Sequence, residues 1–346
     1  MADATFRDRA IGGPFLIAVA LIATACGGRA ESDGQAATNA VPTSPASPPT
    51  LVAPAMSGSP ALPRPIDLKQ VQFSKVVAGK LGYFCGIEMS GAPGTTAGTR
   101  SPSVPAGRLL CVQDEQLVKE MPGPYIDVSF NHDLAIWEYL CAVRDTGTLE
   151  CGSDTDINTG ITLSLPANRF TAVAVSFFNA CGLDDQGKMH CWTSEVAGGT
   201  KPLEGSFGRL AVAMYHVCAT QKELPVHVDC RDKTGSQRLL DSGFFDVAVY
   251  SQGGCGAGLF PVVGLICWDD ASPAERVVAK GTFVQVSMNL AGQGCALSDV
   301  GLPTCWQGSD VWVPKGVSGP LHGISVGPEH TCALDAESHV KCWSGR

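Results

Sequence analysis

The chain has 346 residues, a formal net charge of −9 and 40 glycines, and only 16% of its residues are charged. This length suffices for one large core or for a ring of small ones. The composition is that of a mildly acidic, glycine-rich β protein, and it does not supply the basic patches that nucleic-acid binding requires. We therefore expect no nucleic acid among the partners.

An apolar stretch over residues 11–25 (IGGPFLIAVALIATA) follows Arg7 and Arg9. It is shorter than the about 20 residues that a membrane-spanning helix needs, but it has the length of a signal-peptide core. We predict that residues 1–25 are a signal peptide, which is removed.

Residues 23–27 (ATACG) resemble a bacterial lipoprotein processing site, at which a peptidase cuts before an acylated cysteine. The resemblance implies that Cys26 is the lipidated first residue and that its acyl chains anchor the protein to a membrane. Such sites usually carry Leu at the position of Ala23. An ordinary secretory signal, cut after Ala25, is the alternative. In either case the mature chain leaves the cytoplasm, and the lipidated form lies in the cell envelope, facing the periplasm or the exterior.

The segment after Cys26 is predicted to be a tether. Residues 26–64 are rich in Pro, Ala, Ser, Gly and Thr and contain few residues that form a core. We expect this segment to be extended and disordered. Residues 65–346 then form the folded head.

Fourteen cysteines in the head recur as seven pairs, and the first members of successive pairs are 56, 40, 37, 37, 40 and 37 residues apart. The long first step contains an insertion over residues 90–106. A Val or Ile followed by Ala or Ser recurs at the same period. A period of about 40 residues is typical of propellers and solenoids. The pairs are Cys85/Cys111, Cys141/Cys151, Cys181/Cys191, Cys218/Cys230, Cys255/Cys267, Cys295/Cys305 and Cys332/Cys342.

Each pair brackets a predicted β-hairpin, seen best in residues 181–191 (CGLDDQGKMHC), where apolar positions alternate around a turn sequence. An even separation places both cysteines opposite each other on one face of the hairpin. In an exported chain this predicts seven disulfides within the units. The alternative is that they are small buried residues. The spacing does not match a zinc site, and we predict no metal and no cofactor.

The last unit carries a family resemblance. Residues 330–343 (HTCALDAESHVKCW), with residues 323–327 (GISVG) before them, resemble the repeat of the regulator of chromosome condensation family. Trp follows the second cysteine in four units. The resemblance implies an all-β, seven-bladed β-propeller with four antiparallel strands in each blade. The tryptophans are Trp192, Trp268, Trp306 and Trp343.

The last unit is one strand short, because the sequence stops soon after Trp343, while residues 66–73 (IDLKQVQF) are unassigned. An unpaired strand edge promotes association between chains. We therefore predict that residues 66–73 pair with the last blade, beside the strand of Cys342, and close the ring.

No catalytic motif is present, and neither GxSxG nor HExxH occurs. His216 and His330 both lie two residues before a first cysteine, which indicates a structural role. Residues 154–160 (DTDINTG) resemble a calcium loop only superficially, because Leu165 stands where a bidentate Glu belongs. We therefore do not expect an enzyme.

The strand pattern is interrupted at residues 90–106, 131–139 and 251–264. Loops on a rigid scaffold commonly carry binding residues, so Trp137, Tyr139 and Phe260 are candidate anchors. The sequence thus predicts an envelope-anchored module that binds a protein, a peptide or an envelope polymer. An envelope glycan hydrolase or lyase with an axial site, and an inhibitor of a secreted or periplasmic enzyme, are the alternatives.

Overall fold

The computed structural model describes residues 63–79, 82–89, 106–131, 139–153, 161–163, 167–176, 179–193, 202–223, 227–232, 237–240, 243–260, 263–270 and 272–344. These residues form strands, turns and one 3₁₀ turn, and no α-helix. The all-β prediction is confirmed. None of the described segments is a helix with the length and apolar character to cross a membrane.

The strands belong to units, each built around one cysteine pair. Unit 1 contains β2 to β4 and the first part of β5, unit 2 the rest of β5 to β8, and unit 3 β9 to β11. Units 4 to 7 begin at β12, β16, β20 and β24. The bounds are β1 Arg64–Pro65, β2 Phe73–Ala78, β3 Tyr83–Glu88, β4 Gly107–Gln113, β5 Gln116–Phe130, β6 Tyr139–Arg144, β7 Leu149–Ser153, β8 Ile161–Leu163, β9 Phe170–Val175, β10 Asn179–Asp184, β11 Met189–Thr193, β12 Phe207–Val212, β13 His216–Gln221, β14 Val228–Asp232, β15 Gln237–Leu240, β16 Gly243–Tyr250, β17 Gly253–Phe260, β18 Gly264–Asp269, β19 Ser272–Lys280, β20 Phe283–Met288, β21 Gln293–Ser298, β22 Pro303–Gln307, β23 Asp310–Trp312, β24 His322–Val326, β25 Thr331–Leu334 and β26 Val340–Trp343.

Within each unit the strands follow chain order in an antiparallel sheet. Units 4, 5 and 6 have four strands. Units 3 and 7 have three in the described part of the chain. Units 1 and 2 share one sheet, because β5 pairs with β4 through its first part and with β6 through its last. The fold is therefore a series of small antiparallel sheets.

The structure joins each cysteine pair by a disulfide between the second and third strands of its unit, and the pairs are the seven that the repeat spacing predicted. The two cysteines of a pair are direct cross-strand partners, as Cys181 and Cys191 illustrate. So many disulfides indicate an oxidising extracellular or periplasmic compartment. The bonds join Cys85 to Cys111, Cys141 to Cys151, Cys181 to Cys191, Cys218 to Cys230, Cys255 to Cys267, Cys295 to Cys305 and Cys332 to Cys342.

The hydrophobic core lies between neighbouring units. Leu183 and Met189 of unit 3 cluster with Phe207 and Val217 of unit 4. A similar cluster joins unit 1 to unit 7, and it includes Phe73, Val76, Leu334 and Val340. Each sheet therefore buries both of its faces against other parts of the chain, which is how small units without a core of their own become stable.

Two kinds of hydrogen bond recur between units. The carbonyl oxygen of the glycine in a hairpin turn accepts a hydrogen bond from the first strand of the next unit. Gly187, for example, accepts from the N–H of Phe207 at 2.8 Å, and Ser338 of unit 7 accepts from the N–H of Phe73 in unit 1 at the same distance. Ser338 has a φ of 67°, close to the 81° of Gly187, so it occupies the left-handed position that glycine fills elsewhere.

The second kind of hydrogen bond is accepted by the side chain of a serine on the first strand. Ser287 Oγ of unit 6 accepts a hydrogen bond from the N–H of Val326 in unit 7 at 2.9 Å. Ser325 Oγ of unit 7 accepts one from the N–H of Ala78 in unit 1, also at 2.9 Å. The same position in unit 2, Ser129, accepts from unit 3. The serine of the Val-Ser marker is thus a contact between units.

The predicted strand over residues 66–73 is not present. Asp67 Oδ1 accepts a hydrogen bond from the N–H of Lys69, and this cap begins a 3₁₀ turn over Leu68–Gln70. Arg64 and Pro65 pair with β5 of unit 1. In the described chain β26 pairs only with β25. The capped turn prevents an extended strand here, and the segment contacts unit 7 through packing and through the bond from Phe73 instead.

The glycine-rich part of residues 251–264, where the sequence pattern predicted an irregular segment, lies in β17 and at the start of β18. Its glycines serve packing. A Cβ on Gly256 would lie 2.3 Å from the ring of Phe244 in β16, so only glycine allows this ring to lie flat against the neighbouring strand.

Candidate functional site

The binding residues proposed from the sequence lie at the margins of what the structure describes. Trp137 and Cys26 lie outside the described residues. Tyr139 begins β6 and Phe260 ends β17, but their side chains are not described. These assignments therefore stay predictions. The sequence analysis did not identify the polar residues on the first strands of the units, which the structure brings together.

The first strand of every unit contains an irregularity in its pairing with the second strand, and in most units one extra residue is inserted. In unit 6, Phe283 pairs with Ser298 and Gln285 with Leu297, which leaves Val284 unpaired. Bulges of this kind turn the following side chain in a new direction. The equivalent extra residues in units 1 to 4 are Ser74, Ile126, Thr171 and Gly208.

The residue after the bulge is polar in five units, and we call these five residues the inner cluster. Two are cationic, two are acidic and one is an amide. The other two units have Ala172 and Gly323 at or next to this position. The inner cluster consists of Lys75, Asp127, Arg209, Asp246 and Gln285.

Both carboxylate oxygens of Asp127 have a partner. The Lys75 ammonium forms an ion pair with Asp127 Oδ1, and Asp127 Oδ2 accepts a hydrogen bond from the N–H of Val173 at 2.8 Å. The carboxylate is buried. It therefore holds unit 2 to both of its neighbours.

Asp246 occupies the same position in unit 5. Its Oδ2 accepts a hydrogen bond from the N–H of Val286 at 3.0 Å. Burial raises the pKa of Asp246, although Arg209, its backbone contacts and Lys75 all favour the ionised form. Since Lys75 belongs to unit 1 and Arg209 to unit 4, charges from distant units act on one carboxyl group.

Arg209 differs from the other members because it is exposed. Within the described part of the chain its side chain makes no hydrogen bond and no ion pair, and its guanidinium acts on Asp246 only at longer range. An exposed guanidinium with five free donors recognises carboxylates or other planar anions.

The bulge residues of the next two units are apolar and exposed. Phe245 of unit 5 is 48% exposed and Val284 of unit 6 is 42% exposed. They lie at the beginning of the first strands, which pair with the end of the second strands. The turns between second and third strands therefore lie on this same side, and in unit 6 such a turn carries the exposed Val300 and Leu302. We call Arg209, Phe245 and Val284 the entrance surface.

The two histidines take the structural positions that their recurrence indicated. His216 Nε2 lies 2.9 Å from a carboxylate oxygen of Asp270 in unit 5, so it links two units. His330 is buried beside the disulfide of unit 7. The sulfurs of Cys332 and Cys342 cannot bind a metal while they are joined to each other.

A second group with ligand-type atoms is Asp335, Glu337 and His339. Asp335 Oδ1 accepts hydrogen bonds from the backbone N–H groups of the other two residues. This geometry is that of a hairpin turn closed by an aspartate, and it explains the cluster without an ion.

The repeat marker in the sequence indicated the position of the inner cluster, but in two units the marker was out of register with the strand pairing. In five units the second residue of the Val-Ala or Val-Ser marker pairs with the first cysteine, as Ser287 does with Cys295. In unit 1 this partner is Val77, one place earlier than the marker implied, and in unit 4 it is Ala211, two places earlier. When the units are aligned on the residue that pairs with the first cysteine, the members of the inner cluster fall at one position, two places before that residue.

No family model and no curated protein matches the chain. Among solved structures it is similar to the CRINKLY WD40 ectodomain of the Arabidopsis thaliana receptor kinase ACR4, with a TM-score of 0.57 and 15% identity over 79% of this chain and 96% of that one. Human WBSCR16 gives a TM-score of 0.53 and 13% identity over 73% and 82%. Yeast RCC1 (Prp20) gives 0.49 and 9% over 64% and 70%. The similarity to the WD40 ectodomain shows a propeller fold.

Proposed function

We propose that the seven units form a closed seven-bladed ring. The first strands of consecutive units contact each other along the whole series, and β24 of unit 7 contacts β2 of unit 1. The bonds from Ser325 to Ala78 and from Ser338 to Phe73 repeat those between other units. A ring in which the inner cluster lies at the axis accounts for the action of Lys75 on Asp246.

The proposed function is binding of a protein or peptide partner at the entrance surface. The observation that carries it is the exposed Arg209, whose side chain has no ion pair within the described chain, together with the exposed Phe245 and Val284 on the first strands of the next two units. An Arg and an aromatic residue on a rigid frame are the residue types that dominate binding energies at protein interfaces. A partner segment that places a carboxylate beside an apolar residue would match this surface.

We further propose that this module is held at the cell envelope through lipidated Cys26, with the segment between Cys26 and β1 as the tether. The disulfides support an oxidising compartment, and the processing site at residues 23–27 supports the anchor. The entrance surface would then face a partner of the envelope or of the space outside it. An inhibitor of a secreted enzyme is one form that such a binding module takes.

The experiment is cross-linking capture from envelope extracts with the mature protein, followed by affinity measurement with each captured partner. Arg209→Glu and Phe245→Ser should each weaken binding about tenfold or more. Lys280→Ala and Val313→Ser, which also change exposed residues, should not. Equal binding by all four variants would show that the partner uses another surface.

One observation favours a second candidate, an envelope hydrolase. Asp127 and Asp246 belong to one cluster, and burial raises the pKa of Asp246, which is the property of a general acid. The bonds of Asp127 to Lys75 and to Val173 weigh against it, because both carboxylate oxygens are occupied. Cleavage of envelope glycans that Asp246→Asn abolishes, while partner capture persists, would support the hydrolase.

A further inference from the structure

Cys342 differs from every other disulfide-bonded cysteine of this chain. It is exposed, whereas the other thirteen are buried or only partly exposed. It lies on β26, which, like β11 of unit 3, has no strand on its outer side in the described chain.

The equivalent cysteines of units 4, 5 and 6 show what a fourth strand does. Cys230 pairs with Arg238 of β15, Cys267 with Arg276 of β19, and Cys305 with Trp312 of β23. All three of these cysteines are buried, and Cys305 is only 1% exposed. An outer strand therefore covers the third-strand cysteine, and unit 7 lacks this cover within the described residues.

A histidine lies beside the disulfide of unit 7. His330 is 8% exposed, and one of its ring nitrogens and the sulfurs of Cys332 and Cys342 lie within 4.8 Å of one another. Neither ring nitrogen has a hydrogen bond of normal geometry within the described residues. Burial lowers the pKa of His330 and outweighs the opposing effect of the Tyr83 backbone. A neutral imidazole therefore stands next to the sulfurs.

We propose that Cys332–Cys342 is a thiol–disulfide exchange site for an external dithiol, such as a dithiol oxidoreductase of the envelope. A thiolate of the dithiol attacks Cys342 Sγ and forms a mixed disulfide with it. The bond between the two cysteines breaks, and its electron pair leaves on Cys332 Sγ. The second thiol of the partner then attacks its own sulfur in the mixed disulfide and releases Cys342 as a thiolate. The partner is oxidised by two electrons, and two protons end on the cysteines.

The structure supports each requirement of this exchange. The attacked sulfur needs access, and Cys342 lies on an exposed edge strand. The leaving sulfur needs stabilisation as charge develops, and a ring nitrogen of His330 lies within 4.8 Å of the sulfur of buried Cys332, where the tautomer protonated on that nitrogen would donate to it. Accessible disulfides are the labile ones, and Cys342 is the one exposed cysteine among the seven described pairs, in which Cys151 and Cys191 are partly exposed and the others, apart from Cys342, are buried.

Reduction of this disulfide would also affect the contact between the last unit and the first. The disulfide joins β25 to β26, and the turn between these strands contains Ser338, whose carbonyl oxygen accepts the hydrogen bond of Phe73. Reduction would therefore loosen a contact that holds unit 1 to unit 7. This consequence is independent of which partner the entrance surface binds.

The test is limiting reduction of the full mature protein with dithiothreitol, quenched by alkylation at timed intervals and mapped by mass spectrometry. Cys332 and Cys342 should be labelled about tenfold faster than Cys295 and Cys305, which have the same sequence separation but are covered. Labelling of another pair first, or of all pairs together, would overturn the proposal.

Two variants test the mechanism. His330→Gln should slow the reduction of this pair, whereas His216→Gln, at the same position of unit 4, should leave it unchanged. Cys332→Ser leaves a free thiol on Cys342, which should form a mixed disulfide with an added oxidised dithiol reagent. Thermal melts identify variants that lose the fold, and in that case wild-type labelling decides alone. An unchanged rate in a folded His330→Gln variant would refute the role of the histidine.

Discussion

The hydroxyl oxygen of Ser325 in the last unit accepts a hydrogen bond from the backbone N–H of Ala78 in the first, at 2.9 Å. The two residues are 247 positions apart in the chain. Ser325 is 7% exposed and Ala78 is fully buried, so water cannot replace this bond easily. Ser287 and Val326 form the same bond between units 6 and 7.

Ser325→Ala should therefore destabilise the head by about 1–3 kcal/mol, because the N–H of Ala78 is left buried without a partner. Ser287→Ala should cost a similar amount, and Ser318→Ala, an exposed serine, should cost almost nothing. Chemical denaturation monitored by Trp fluorescence measures the difference. If Ser325→Ala behaves like Ser318→Ala, the contact between units 7 and 1 does not contribute to stability.

Gly256→Ala should destabilise unit 5 by about 1–3 kcal/mol, because the added methyl group overlaps the ring of Phe244. The matched control is Gly208→Ala. That glycine is exposed, and its nearest neighbour would be 4.0 Å from a Cβ. A thermal melt of the two variants separates the steric effect from the loss of a glycine. Equal melting temperatures would mean that the Phe244 ring moves aside without cost.

Acid should destabilise the head through Asp184. Burial alone would raise the pKa of Asp184, but hydrogen bonds from His190, Asn168 and two backbone N–H groups lower it. A carboxylate whose folded pKa lies below its unfolded value, about 3.9, stabilises the fold above that pH. This contribution is lost as the pH falls through the folded pKa.

Asp184→Asn should therefore flatten part of the decline in unfolding free energy below about pH 4. Asp335, whose pKa is also lowered by the backbone of His339 and by nearby cations despite burial, should account for another part. Urea denaturation between pH 2 and 7, roughly the range over which carboxylates titrate, measures the wild type, Asp184→Asn and Asp335→Asn. A wild-type profile that Asp184→Asn reproduces without change would contradict the assignment.

Peptide mapping under non-reducing conditions should find seven links, each within one unit, and no free thiol in the head. Cross-strand neighbours such as Cys141 and Cys151 are placed for this pairing by the hairpin itself. Links between units would contradict both the pairing and the assignment of the repeats.

Cys26→Ser should release the protein from membranes, because the acyl chains can form only on the cysteine. Detergent phase partitioning distinguishes the two outcomes. Wild-type protein should enter the detergent phase and the variant should stay aqueous. Recovery of both in the aqueous phase would favour an ordinary secretory signal cut after Ala25.

Local features of the chain were predictable from the sequence. The hairpins, the unit period and the partners of each cysteine follow from spacings of 10 or 12 residues around a turn, since such a hairpin aligns its own strands. The insertion in unit 1 did not disturb this alignment, because a loop at the hairpin tip leaves the pairing of Cys85 and Cys111 unchanged.

Relationships between units were decided by the tertiary structure. No local spacing relates Lys75 to Asp127 or Arg209 to Asp246, because bulges set the direction of these side chains and the neighbouring units set their distances. The same reason explains the wrong prediction for residues 66–73. The sequence permits a strand there, but the cap formed by Asp67 and the packing of Leu68 against unit 7 favour a turn, and this competition is settled only when the first and last units meet.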